Sequence, residues 1–214
     1  TAILKGERVS DDTDYGFADV VNHGHAIAAE VKMANGRHAH RPMPEQIERL
    51  HKGEMVAIIS DAGTPLISDP GYKLVRACLE DKIPVTVVPG ANAILPALQL
   101  SGLPSDCFSF LGFLPPKQAA RKTELLRWKN AGGTVLAYET APRLIKALHD
   151  ILDVMGDRDG AVVREITKMF EESRRSKISE LIEHYEREGA PKGEIVIAIG
   201  PGEKRSRKRM LRSN

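Results

Sequence analysis

Ser60-Asp61-Ala62-Gly63-Thr64-Pro65-Leu66-Ile67-Ser68-Asp69-Pro70-Gly71 follows directly on an apolar, β-branched run, Met55 to Ile59. The run reads as a buried strand and the dodecamer as a ligand loop at its carboxyl end. Small residues at Ala62, Gly63, Thr64 and Ser68 let the backbone approach a bound molecule, Pro65 and Pro70 fix the turns, and Asp61 and Asp69 offer carboxylates. Nucleotide-like ligands sit in such loops at the carboxyl ends of strands in open α/β sheets. Working outward, Leu74, Val75, Cys78 and Leu79 recur at helical spacing within Gly71 to Lys82, and Val85 to Val88 is a further strand, so a βαβ unit is predicted. A helix over Ala91 to Leu100 starts right after Pro89-Gly90, and its free N–H groups are suited to a carboxylate or a ribose. Both loops are expected at one sheet edge.

The turn-rich connector Ser101-Gly102-Leu103-Pro104 opens a second region. There, strands over Cys107 to Phe113, Thr134 to Tyr138, Ala161 to Arg164 and Glu194 to Ile199 alternate with helices over Gln118 to Asn130, Arg143 to Met155 and Ile178 to Glu188. This is a second α/β layer arrangement. The reading therefore divides the chain into an N-terminal α/β domain over residues 1–103, a C-terminal α/β domain over 104–201 and a basic tail over 202–214.

With 214 residues, 42% hydrophobic and 28% charged, the chain falls in the globular class. No apolar run approaches the ~20 residues that span a bilayer, and Thr1-Ala2-Ile3-Leu4-Lys5-Gly6-Glu7 lacks the apolar segment of a signal peptide. A cytoplasmic location and no membrane partner are expected. Cys78 and Cys107 match no metal spacing, and their apolar surroundings suggest buried, reduced thiols. The formal charge of +2 hides an asymmetry, because Lys204, Arg205, Arg207, Lys208, Arg209 and Arg212 leave the rest of the chain net acidic. Such a tail is either a solvated end or a contact to RNA phosphates, which reward clustered Lys and Arg by counterion release. Lys117, Arg121 and Lys122, and likewise Arg174, Arg175 and Lys177, read as exposed faces of a helix or loop. His23, His25, His38 and His40 form His-X-His pairs, but no Cys, Asp or Glu stands at ligand spacing, so surface histidines and no metal site are expected. Leu125, Leu126 and Trp128 read as core or interface packing.

The dodecamer resembles the signature of the tetrapyrrole methylase superfamily, and within it the branch that methylates a cytidine ribose 2′-hydroxyl in small-subunit ribosomal RNA. Val88-Pro89-Gly90-Ala91-Asn92-Ala93, Phe110-Leu111-Gly112-Phe113-Leu114-Pro115, Tyr138-Glu139-Thr140-Ala141-Pro142-Arg143, Arg164-Glu165-Ile166-Thr167-Lys168 with Glu171-Glu172, and Lys192-Gly193-Glu194 look like that branch's successive blocks, in order. One such loop is a weak signal; ordered blocks from Glu45 to Ile199 are a strong one. Near the start the pattern departs from the family, and only Ile27-Ala28-Ala29-Glu30 matches its early blocks. The resemblance implies two α/β domains with S-adenosylmethionine held in the cleft between them, a ribosomal RNA substrate and a homodimer.

On that resemblance, the donor pocket is expected from Asp61, Ala62, Gly63, Thr64 and Pro65, from Pro89, Gly90, Asn92 and Ala93, and from Gly193 and Glu194. The alternative reading of Asp61 is a cap on its own turn. The acceptor side is expected from Glu139, Arg143, Arg164, Glu165, Lys168 and Glu171, with Lys168, Glu139 and Arg143 as the catalytic candidates. Lys168 would either stabilise the developing alkoxide or, with a depressed pKa, act as base; a structural Arg–Glu network is the alternative reading of these residues. Phe113, Trp128 and Tyr138 are candidates for a two-fold interface. Methyl transfer to a tetrapyrrole carbon and a donor-binding but inactive RNA-binding relative are the competing functions. Tetrapyrrole members usually carry Gly-Asp-Pro at the first loop, where this chain has Asp61-Ala62-Gly63-Thr64-Pro65.

Overall fold

A computed structural model describes residues 2–5, 26–30, 43–60 and 63–202, and it divides the chain into compact units, Thr1–Asn92 and Ala93–Asn214. The four N-terminal histidines, Asp61, Ala62 and the basic tail from Glu203 onward lie outside the described residues.

In the first unit, β1 (Ala2–Lys5), β2 (Ala26–Glu30), β3 (Met55–Ile59) and β4 (Val85–Val87) form a sheet in the order β2-β3-β1-β4. Strand β2 runs parallel to β3, whereas β1 is antiparallel to both β3 and β4. Strands β3 and β4 are therefore parallel but not adjacent, and the expected βαβ crossover passes over β1. Helices α1 (Met43–His51) and α2 (Tyr72–Glu80) cover this sheet, burying Leu50, Leu74 and Cys78 against Val56 and Ile58. Burial of these aliphatic groups, each worth roughly 1.5–3 kcal/mol, is what orders the short strands.

The second unit opens with α3 (Ile94–Ser101), whose Ile94, Ala97 and Leu98 pack on Leu136, Ala161, Val163, Val196 and Ala198. This helix belongs with the second sheet, so the units part at Asn92–Ala93, earlier than the turn at Leu103 to Ser105 that the sequence punctuation suggests. The strands are β5 (Phe108–Phe113), β6 (Thr134–Thr140), β7 (Asp159–Arg164), β8 (Glu172–Lys177) and β9 (Glu194–Ile199), in the order β5-β6-β9-β7-β8. Only β5 and β6 pair in parallel; β9 is antiparallel to β6 and β7, and β8 to β7. Helices α4 (Gln118–Trp128), α5 (Leu144–Met155) and α6 (Ile178–Glu188) lie on the face opposite α3, where Leu125, Leu148, Ile151, Leu181 and Ile182 meet Val135, Ala137, Val162 and Ile197. Alternating residues of one strand thus feed two cores, as a sheet covered on both faces requires.

Several expectations are corrected here. Arg174, Arg175 and Lys177 lie on strand β8 and not on a helix or loop; Arg175 and Ser173 both donate to the Leu100 carbonyl near the end of α3, and Lys177 pairs with Asp159. Cys107 is exposed, whereas Cys78 is buried as expected. Arg121 is buried at 3% exposure and does not belong to an exposed basic face.

Tyr185 on α6 is buried, and its hydroxyl has no hydrogen-bond partner among the described residues. Burial pushes its phenol up to about 12. A raised folded-state pKa means that stability is intact below the ordinary tyrosine value near 10 and is lost as pH rises from there through about 12. Denaturant titrations are expected to show Tyr185→Phe losing about 2–3 kcal/mol less than the parent across that alkaline window. At neutral pH the same variant is expected to be as stable as the parent or up to about 1 kcal/mol more so, since an unsatisfied buried hydroxyl is removed.

Candidate active site

Strands β3 and β4 are parallel, so the loops that follow them emerge at the same edge of the first sheet. They are joined through the backbone: the Thr64 amide donates to the Ala91 carbonyl at 2.8 Å, and the Thr64 hydroxyl reaches the same oxygen at 3.2 Å. Gly63 has φ +75, and a Cβ there would stand 2.6 Å from the Ala91 oxygen. Gly63 thus serves the loop junction itself, with no side-chain volume left to spare. Opposite it, a Cβ on Gly90 would stand 3.2 Å from the Thr64 hydroxyl. Leu66 and Ser68 also adopt positive φ, so the loop holds local strain of the kind that persists where surroundings over-determine it. Beside the junction, Thr64, Pro65, Leu66, Ile67, Val75 and Val85 to Val87 line an open apolar hollow of about 260 Å³. Of the residues expected at the donor, Gly63, Thr64, Pro65, Pro89, Gly90 and Asn92 belong to this unit, whereas Ala93, Gly193 and Glu194 belong to the second.

The expected acceptor residues gather at one edge of the second sheet. Pairing of Phe113 with Tyr138, Thr140 with Glu194, Arg164 with Ile195 and Arg164 with Glu172 fixes these ends side by side. Lys168 donates to Glu194 at 3.0 Å and to Glu165 at 3.2 Å, and Glu165 also accepts the Glu194 amide at 2.9 Å. A Cβ on Gly193 would stand 2.3 Å from the Glu165 carboxylate, which is why glycine precedes Glu194. Arg164 donates to Glu172 at 2.9 Å and to the Lys192 carbonyl at 3.2 Å, and the Thr167 amide donates to Glu171 at 2.6 Å. The two blocks, far apart in sequence, therefore form one cluster.

Its electrostatics decide between the readings of Lys168. Glu194, then Glu165, hold the ammonium above its ordinary pKa. The depressed pKa that a base would need is not provided by these partners, and Lys168 stands as a cation. Glu165 is held below the carboxylate range, first by the Glu194 amide and then by Lys168, and Glu172 is lowered chiefly by Arg164.

Glu139 and Arg143 occupy a different environment. The Glu139 side chain is fully buried, and burial pushes its carboxyl up despite the Thr140 amide at 2.7 Å and the Arg143 guanidinium at 3.1 Å. Arg143 also donates to the Leu114 carbonyl. This arrangement makes the pair a positioning device for the loop after β5, with the Glu139 carboxyl enclosed and Arg143 partly open to solvent. Arg121 completes the device from α4: it bonds the Pro115 and Pro116 carbonyls, each at 3.2 Å, and pairs with buried Asp150 at 2.6 Å, while Gln118 caps the other Asp150 oxygen at 3.0 Å. Sequence reasoning missed Arg121, Gln118 and Asp150 in this role; the signal available was the pair of prolines, whose carbonyls need donors from elsewhere. Among the described residues, no group of three or more His, Cys, Asp or Glu is placed to hold a metal ion.

The family model of the Tetrapyrrole (Corrin/Porphyrin) Methylases matches residues 12–182, and the chain belongs to this family. Its relatives narrow the likeness. The chain is 46% identical over 161 residues to the ribosomal RNA small subunit methyltransferase I of Mesorhizobium japonicum, a match covering 75% of this chain and 55% of that protein. It is 41% identical over 165 residues to the protein of the same name from Thermotoga maritima, covering 77% and 73% respectively. Among solved structures, the methyltransferase CobJ aligns with a TM-score of 0.58 at 12% identity over 86% of each chain, a likeness of fold. The chain spans just over half the length of several of these relatives.

Removing one partner of a buried ion pair strands the other charge, at a cost of about 3–5 kcal/mol. Arg121→Ala and Asp150→Ala are each expected to lose that much in urea unfolding. The double variant is expected to lose clearly less than the sum, because the second deletion removes the stranded charge.

Proposed function

We propose that this chain carries S-adenosylmethionine-dependent 2′-O-methylation of a cytidine ribose in small-subunit ribosomal RNA. The observation that carries the reading is the glycine-lined junction of Gly63-Thr64 with Gly90-Ala91 at a strand-end edge, in a chain whose relatives bear the name ribosomal RNA small subunit methyltransferase I. What supports the donor reading is that Gly63 and Gly90 let the two strand-end loops close on each other, and that the neighbouring hollow offers an apolar wall. Thr64, Pro65, Pro89, Gly90 and Asn92 would hold it, with Asp61 and Ala62 from the same loop. The donor brings an activated methyl group, so the chain's own work is to orient an acceptor and help a hydroxyl lose its proton. Lys168, as a cation, would stabilise the developing alkoxide. Glu139 and Arg143 would act through the loop they hold. Ala93, Gly193 and Glu194 remain assigned to the donor by resemblance.

Cytoplasmic action fits a ribosomal substrate, and no helix among the described residues is long and apolar enough to cross a membrane. Homodimerisation is part of the proposal; light scattering at micromolar concentration is expected to give twice the 23.5 kDa of one chain, and the protomer mass alone would remove it. The direct test is transfer of a labelled methyl group to small ribosomal subunits, followed by mapping of the modified nucleotide. Label on a cytidine 2′-oxygen is the expected outcome. Label on a porphyrinoid instead, or donor binding without turnover, would favour the competing readings.

The role of Lys168 is separable from that of a base. Lys168→Met is expected to reduce kcat about 100-fold, the usual cost of losing a transition-state charge partner. Lys168→Arg keeps the cation and is expected to retain most activity with an unshifted pH profile. An inactive arginine variant would return Lys168 to the role of proton acceptor.

A further inference from the structure

We infer that the exposed ring of Phe113 is a stacking platform for an unpaired base of the RNA substrate, an assignment that rests on the RNA reading above. The pairing of β5 with β6 is regular from Phe108 to Phe110 and then slips before Phe113, with Gly112 at φ +70 in the bulge. In a regular strand, residues 110 and 113 would face opposite sides. The bulge turns Phe113 onto the same tyrosine that Phe110 meets: ring centroids of Phe110 and Tyr138 lie 4.8 Å apart, and those of Phe113 and Tyr138 lie 5.3 Å apart. Bulges that re-aim a side chain recur beside functional sites.

The re-aimed ring is then left 55% exposed, while Tyr138 and Phe110 behind it are half-buried. A ring facing solvent gains little for the fold. Its seat is nevertheless rigid, because the next carbonyls, of Leu114, Pro115 and Pro116, are each taken by Arg143 or Arg121, and the Leu114 amide donates to the Tyr138 carbonyl. Rigidity favours a ligand with a flat face, since no ordering cost is left to meet on binding. A nucleobase has such a face, and aromatic stacking accepts any base. Lys117, at the end of the same loop, is exposed and forms no ion pair among the described residues, as suits a phosphate neighbour. The sheet supplies the register with the chemistry: β5 and β9 flank β6, so Phe113 stands level with Val196, about 10 Å or two strand spacings across, and Glu194 with its partner Lys168 lies two residues further along β9. A base flanking the reacting nucleotide fits that separation.

Of the residues the sequence suggested for a two-fold interface, Trp128 packs on the core and donates to Glu124, and Tyr138 lies between the phenylalanines, so Phe113 alone offers a free ring. A second copy of the chain is therefore the rival occupant.

The test measures the full chain's affinity for a short single-stranded, cytidine-containing RNA and for the same RNA with an abasic site at one position, stepped along the strand, by fluorescence anisotropy. The parent is expected to prefer the intact strand roughly tenfold at one position, the range of one base–aromatic stack. Phe113→Ala and Phe113→Leu are expected to lose that preference with donor affinity and melting temperature unchanged, and Phe113→Trp to keep it. Leucine fills comparable space, so it separates stacking from packing. A preference retained in the alanine variant, fully restored by leucine, or lacking in the parent would overturn the assignment, as would a variant that binds RNA normally but falls from dimer to monomer mass. Failure of the methylation reading is seen independently, as a parent that shows the base preference yet transfers no methyl group to ribosomal subunits.

Discussion

Three successive carbonyls after β5, those of Leu114, Pro115 and Pro116, accept from the side chains of two arginines, and much of the second unit is arranged around meeting that need. A backbone acceptor left unpaired away from water costs about as much as a lost hydrogen bond. A guanidinium answers it well, because one planar group offers several donors in a fixed fork. Burying that charge creates the next requirement, a carboxylate for each arginine, and Asp150 from α5 and Glu139 from β6 provide it. The chain of obligations thereby ties α4, α5, β6 and the loop into one body. A loop so held cannot adapt, which suits an element that presents a ring to a flat ligand.

A second chain of obligations runs through the opposite half of the same edge. Glu165 and Thr167 sit at positive φ, costly for residues with side chains, and the turn is held by the Glu194 amide donating to the Glu165 carboxylate and the Thr167 amide donating to the Glu171 carboxylate. The missing side chain at Gly193 gives the Glu165 carboxylate its place. Strain of this kind fixes where Lys168 can stand: its three-way contact with Glu165 and Glu194 depends on the turn keeping its shape. The spacing Lys192-Gly193-Glu194 is thus a packing statement as well as a motif.

Much of this was legible in the sequence where hydrophobic period decides structure. Strands Met55–Ile59 and Glu194–Ile199 and helix Ile178–Glu188 stand where the apolar pattern places them. Elements without such a pattern were not. Glu172–Lys177 is polar throughout, and its strand state comes from pairing with β7. Ala2–Lys5 is too short to signal its place between β3 and β4. In the same way the blocks brought forward the residues of the second edge but not their depth. Glu139 and Lys168 look alike as candidates in sequence; one carboxyl lies in the core and the other group meets solvent, a distinction that only tertiary packing creates.

The polar strand β8 has one more consequence. An outermost strand offers unpaired backbone groups to any passing strand, and flat apolar edges are where chains join into extended sheets. Here one margin carries Glu172, Arg174, Arg175 and Lys177, and the other, β5, breaks its line at Gly112 and runs into Pro115 and Pro116. Charge on one side and a broken backbone on the other make the five strands a finished set. Such margins disfavour growth by strand addition, which leaves side chains as the favoured material for association.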